Sequence, residues 1–181
     1  MSDPEPALGI IGGSGLYHLP GLEAIHEVAV DTPYGAPSAP LRVGRLAGRR
    51  VVFLARHGAG HRLLPGEVNA RANVWALKRV GVTRVLSVSA VGSLREEIDP
   101  GCCVVVDQFL DLTRERPRTF FGDGVVAHVS LADPVCAELA SSLAVAAGSL
   151  GARSLVGATY ACIEGPRFST RHESCIDCPE K

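Results

Sequence analysis

Leu8-Gly9-Ile10-Ile11-Gly12-Gly13-Ser14-Gly15 is a short apolar run that stops on glycines. Such a run reads as a buried strand entering a tight turn. Two later segments follow the same plan. Val51-Val52-Phe53-Leu54-Ala55 is apolar throughout and gives way to Arg56-His57-Gly58, and Val85 to Val91 ends on Gly92. Ala24 to Val30 and Leu41 to Leu46 read as strands with partial alternation, and Gly48 as the turn that makes residues 39–55 a β-hairpin. Asn69 to Val80 carries Ala70, Val74 and Leu77 at helical spacing, with Gly81 as its stop. Further on, Val104 to Leu110 reads as a strand, and Asp133-Pro134 as a capped helix start. That helix has Leu139, Leu143, Ala146 and Leu150 on one face and ends at Gly151. Leu155 to Ile163 reads as the last strand and ends on Glu164-Gly165-Pro166-Arg167-Phe168. Strands alternating with helices, several apolar on both faces, predict an α/β fold: a mixed, largely buried central sheet flanked by helices.

The 181 residues suit one domain with a sizeable core, and 46% hydrophobic against 20% charged residues excludes a disordered chain. The formal net charge of −1 leaves no basic excess to track a nucleic-acid backbone, so nucleic acid is not an expected partner. No apolar run approaches the roughly 18 residues of a membrane-spanning helix. Met1 to Pro6 lacks the basic and apolar regions of a secretory signal. Six cysteines in so core-rich a chain read as reduced thiols, which places the protein in the cytoplasm, with the nucleus as a further location beside it. Cys175 and Cys178 have zinc-knuckle spacing without a second ligand pair and read as two unpaired thiols. His57 and His61 stand four apart, but Gly58 and Gly60 argue against the helix that would aim both at a metal, so no metal is expected.

Four strand ends are polar, and each has a plain reading beside a functional one. Gly12 to Gly15 is either an ordinary strand exit or a turn whose N–H groups and Ser14 hydroxyl face an anion. Arg56 and His57 are either a surface pair or an oxyanion site at a strand C-terminus. Ser89 and Ala90 either let backbones pack closely or place a hydroxyl and an N–H at the mouth of a crevice. Phe168 is either a core aromatic or a cover for a flat ligand. Arg95-Glu96-Glu97 reads as a solvated charge run. No nucleophile–base arrangement is visible. Together the four strand ends fit an anion bound beside a flat apolar group, and they name no reaction.

Seven motifs then occur in order: Ile10 to Gly15, Asp31-Thr32-Pro33-Tyr34-Gly35, Ala55 to Gly58, Asn73 to Lys78, Gly92 to Glu97, Asp107-Gln108-Phe109 and Ile163 to Ser169. From Leu8 to Ser174 the chain resembles the methylthioadenosine-cleaving branch of the trimeric purine nucleoside phosphorylase family. The resemblance implies transfer of the pentose of a purine nucleoside, 5′-methylthioadenosine, to inorganic phosphate, yielding adenine and 5-methylthioribose 1-phosphate. Phosphate is a co-substrate, and no cofactor is implied. Also by resemblance, Ser14, Arg56, His57, Ser89 and Ala90 hold the phosphate. Phe168 lies against purine or ribose, and His128 reaches the 5′-pocket of a neighbouring subunit in a homotrimer. Methylthioinosine or inosine and guanosine are alternative substrates. A nucleosidase that uses water is a third reading, against which the Arg56-His57 pair argues.

Members of that family continue for about a hundred residues, on the scale of a domain, beyond the region matching Ser174. Residues 1–174 are therefore expected to be an incomplete phosphorylase-like domain lacking its C-terminal third, and 175–181 a divergent tail. The aspartate that protonates the purine is expected in the absent part. Loss of such an acid costs about 10²–10⁴-fold in rate. The expectation is a chain of low stability and low activity, with a non-catalytic subunit that binds phosphate or co-assembles as the alternative.

Overall fold

The computed structural model describes residues 5–17 and 20–176. These divide into two compact units, one of the described residues up to 90 with 117–120 and one of 91–116 with 121–176.

The first unit is a five-stranded mixed sheet. Its strands are β1 (Ala7–Gly12), β2 (Glu23–Val28), β3 (Leu41–Leu46), β4 (Arg49–Ala55) and β5 (Val82–Val88), in the order β2-β3-β4-β1-β5. The expected hairpin is β3 and β4, antiparallel with Leu46 opposite Arg49. β1 lies parallel to β4 on one side and to β5 on the other. The uninterrupted apolar run of β4 follows from burial on both faces. Val52 and Leu54 join Ala7, Leu41, Val43, Ala76, Leu77 and Val82 in one cluster, while Val51 and Phe53 join Ile10 in another. Helix α1 (Ala70–Arg79) supplies Ala76 and Leu77.

Helix α1 begins where the sequence places it. The Asn69 side chain accepts from the Ala72 N–H at 3.1 Å, satisfying one donor of the first turn. Its amide donates to the Tyr34 carbonyl at 2.6 Å. Asn73, 3% exposed, accepts the Ser38 N–H at 2.8 Å and donates to the Ser38 hydroxyl at 2.9 Å. Asn69 at the helix cap and Asn73 of the fourth motif thus tie the 34–38 loop to the helix.

The second unit holds β6 (Cys103–Val105), β7 (Gln108–Asp111), helix α2 (Ala137–Ser149), β8 (Ser154–Val156), β9 (Thr159–Cys162) and helix α3 (Arg171–Ile176). β6 pairs parallel with β8, and β7 parallel with β9. Here two expectations change. Val104 to Leu110 and Leu155 to Ile163 are not single strands; each breaks in two. Gly157 turns into the left-handed region at φ +82°, and the ladder resumes only when Asp107 N–H donates to the Ala158 carbonyl. Helix α2 starts at Ala137, with Cys136 at its N-cap, rather than at Asp133-Pro134. Its inward face runs through Leu139, Leu143 and Ala147, and Leu150 is 83% exposed.

The sheet is also less buried than expected. β1 and β4 are covered, whereas β2 and β5 occupy the two edges and are largely exposed. β5 itself is Val82–Val88, three residues earlier than the periodicity predicts. Helix α3 spans the point at which the sequence reading ends the domain, residue 174. The acidic N-terminal residues 1–4 and Cys178 lie outside the described residues, as does the Cys175 side chain. Among the described residues, no helix is long and apolar enough to cross a membrane.

Candidate active site

Three parallel strand ends meet at one edge of the first unit. Gly12 pairs with Ala55 of β4 and with Val88 of β5, so Gly13, Arg56 and Ser89 follow as the next residues on three adjacent strands. β1 is the point at which strand order reverses: the chain runs from it to β2, β3 and β4 on one side and returns through α1 to β5 on the other. Ligands of open α/β sheets bind outside the carboxyl ends of the strands at such a switch point.

The side chains there converge. The Arg56 Nη1 donates to the Ser89 hydroxyl oxygen, and Nε donates to His57 Nε2 at 3.2 Å. Nη2 points to the glycine turn, 3.9 Å from where a Cβ on Gly13 would stand. Because Ser89 Oγ accepts from Arg56, its own hydroxyl proton is left to donate elsewhere. A fixed guanidinium beside a hydroxyl donor is the arrangement that binds a tetrahedral oxyanion.

Backbone and side-chain bonds lock this edge. Arg56 N–H donates to the Gly12 carbonyl at 3.0 Å, continuing the β1–β4 ladder. The Tyr17 hydroxyl donates to the Gly58 carbonyl at 2.8 Å, joining the turn after β1 to the turn after β4. His57 is 8% exposed; its Nδ1 lies 2.9 Å from the Leu63 carbonyl, and its ring stacks on His61 with centroids 4.4 Å apart.

The sequence-derived residues fall out as follows. Arg56, His57 and Ser89 are brought together, and Ala90 follows Ser89 beyond the end of β5. Ser14 opens the 3₁₀ turn Ser14–Leu16; its side chain lies outside the described residues. Phe168 and His128 belong to the second unit. Phe168 stands 93% exposed, not in a core, and His128 is exposed in an irregular segment between β7 and α2. The tie from His57 to the Leu63 carbonyl was invisible in the sequence, because a carbonyl partner leaves no residue-type signal.

In the second unit, Glu164 is a structural anchor rather than an open polar strand end. Its carboxylate accepts the backbone N–H groups of Arg114 and Glu115 and the Nε of Arg116 at 3.0 Å. Those backbone donors first, and the Arg116 guanidinium after them, hold the carboxyl below the usual range. Glu173 is held lower still, at about 2, by the two-pronged Arg167 guanidinium and by the Thr170 N–H. The Arg95-Glu96-Glu97 run is exposed, with Arg95 donating to Glu97 at 2.6 Å.

Residues 7–176 match the model of the phosphorylase superfamily, and the chain belongs to that family. It is 58% identical over 171 residues to S-methyl-5′-thioadenosine phosphorylase of Geobacter sulfurreducens, covering 94% of this chain and 60% of that one. A crystal structure of methylthioadenosine phosphorylase from an Antarctic soil metagenomic library superposes with a TM-score of 0.87 at 53% identity, covering 92% of this chain and 59% of that one. The apo methylthioadenosine phosphorylase of Schistosoma mansoni superposes at 0.89 with 38% identity, covering 95% and 69%. The chain spans about 60% of the length of the curated relatives it matches.

Proposed function

We propose that this chain carries the phosphate-binding portion of a nucleoside phosphorylase acting on 5′-methylthioadenosine. One observation carries the reading: the Arg56 guanidinium is fixed against Ser89 at the switch point of a parallel strand triplet. The names of the relatives support the substrate.

In the proposed reaction the glycosidic bond breaks as a phosphate oxygen closes on the anomeric carbon. The bonding pair leaves with the purine, which takes up a proton, and the pentose becomes oxocarbenium-like between the two. A phosphate dianion held by Arg56 and Ser89 stabilises that developing positive charge and is in place to attack it. Binding and orientation suffice, so neither a covalent nucleophile nor a resident cofactor enters the scheme. The 5′-pocket role of His128 in a homotrimer and the purine contact of Phe168 belong to this proposal as well.

No described residue is assigned the acid that protonates the departing purine. The first test is therefore phosphate binding, measured by titration calorimetry with inorganic phosphate. Saturable binding that Arg56→Ala weakens at least about tenfold, the size of a charged hydrogen bond, is the expected result. Equal affinity in Arg56→Ala refutes the site. Adenine release from 5′-methylthioadenosine at the same rate with and without phosphate would instead establish a hydrolase.

A further inference from the structure

We infer that His57 serves the phosphate site by positioning Arg56 and not by contacting the anion with its own ring. The inference rests on the phosphate reading above and concerns how that site is held. Each ring nitrogen faces a partner of fixed polarity. The Leu63 carbonyl can only accept, so Nδ1 carries the proton that bridges the 2.9 Å gap. The Arg56 Nε–H can only donate, so Nε2, 3.2 Å away, must present its lone pair. The two contacts together select the neutral Nδ1–H tautomer and occupy both nitrogens. A ring so committed has no N–H left for a phosphate oxygen.

The surroundings suit a rigid post. The ring is buried, with His61 stacked on it. The His57 carbonyl accepts the N–H groups of Arg62 at 2.9 Å and Leu63 at 3.1 Å, so the loop that supplies the Leu63 carbonyl is closed onto His57 itself. The order of support runs from the Leu63 carbonyl through the imidazole to the Arg56 Nε. Fixing Nε sets the plane of the guanidinium, and Nη1 and Nη2 then face Ser89 and the glycine turn. Pre-orienting a long side chain removes the ordering cost that binding would otherwise carry.

The test uses the full chain with inorganic phosphate as probe. Calorimetric affinities are measured for the unaltered chain, His57→Ala, Arg56→Ala and the double variant. If His57 acts through Arg56, His57→Ala weakens phosphate about tenfold alone and has no further effect once Arg56 is alanine. Additive losses overturn the inference. Two partial replacements guard against loss of fold: Gln places an acceptor near the Nε2 position, and Asn keeps only the donor near Nδ1. His57→Gln should bind better than His57→Asn, and the reverse order, or equality, overturns the inference. Long-range proton–nitrogen NMR on the unaltered chain reads the tautomer directly. A bare Nε2 that stays bare when phosphate is added is expected; an Nε2 proton in the phosphate complex overturns it. Absence of phosphate binding by the unaltered chain removes the phosphate reading and this one with it. Binding with additive losses removes this one alone.

Discussion

At the scale of single residues, Arg56 differs from Arg116 and Arg167 in the partners that hold it. Arg56 is anchored to a neutral hydroxyl and an imidazole, so its charge remains uncompensated by any carboxylate among those contacts. Arg116 and Arg167 are matched with Glu164 and Glu173, and their charges serve local structure. The pH consequences follow from the carboxylates. Glu173 sits at about 2, below its ordinary 4.5, so its contribution is complete above 4.5 and is lost as pH falls towards 2. Carbon-detected NMR of Glu173 should give a midpoint near 2, moving up towards 4.5 in Arg167→Ala. Glu164 is lowered in the same direction, chiefly by the Arg114 and Glu115 N–H groups. In Glu164→Gln, the protection of those two amides, relative to their intrinsic exchange rates, should fall at neutral pH and no longer change as pH is lowered through the carboxylate's titration. Unchanged exchange would show that the carboxylate does not hold the 114–116 segment.

At the scale of elements, the length and continuity of apolar runs predicted the first unit well, because β1 and β4 are buried on both faces. Phe53 is 2% exposed, and Phe53→Ala should cost about 3–5 kcal/mol in urea unfolding. A close approach was not readable. A Cβ on Gly44 would stand 2.7 Å from the Glu23 carbonyl oxygen, a backbone atom that cannot swing aside. Gly44→Ala should therefore cost about 1–3 kcal/mol by the same measurement, and a neutral result would mean β2 gives way freely. The second unit was read less well. Its apolar runs continue across the corner at Gly157, so periodicity alone joined β6 to β7 and β8 to β9. Likewise Asp133-Pro134 has the chemistry of a helix start, yet the first helical residue lies three positions past the proline.

At the scale of the whole molecule, the two sheet edges of the first unit are unequal. β2 carries Glu23, His26 and Glu27, charges and a polar ring that discourage edge pairing. β5 presents Val85 at 42% and Val88 at 38% exposure. The second unit exposes Val126 at 80% and Val129 at 72%. Such surfaces favour association. Sedimentation velocity should show the chain growing heavier with concentration, and a Val85→Lys, Val88→Lys double variant should shift that growth to higher concentration. No change would place the contact elsewhere.

Residue order alone determined the α/β class, the hairpin, helix α1 and the candidate phosphate residues, because strand ends, glycine stops and apolar runs are local features of the chain. The convergence of those residues was decided by tertiary structure. Gly13, Arg56 and Ser89 are far apart along the chain, and only the parallel register of β1 with both β4 and β5 sets them side by side. The same holds for His57. Its residue type permits a proton on either nitrogen, and only the folded loop brings an acceptor to one and a donor to the other.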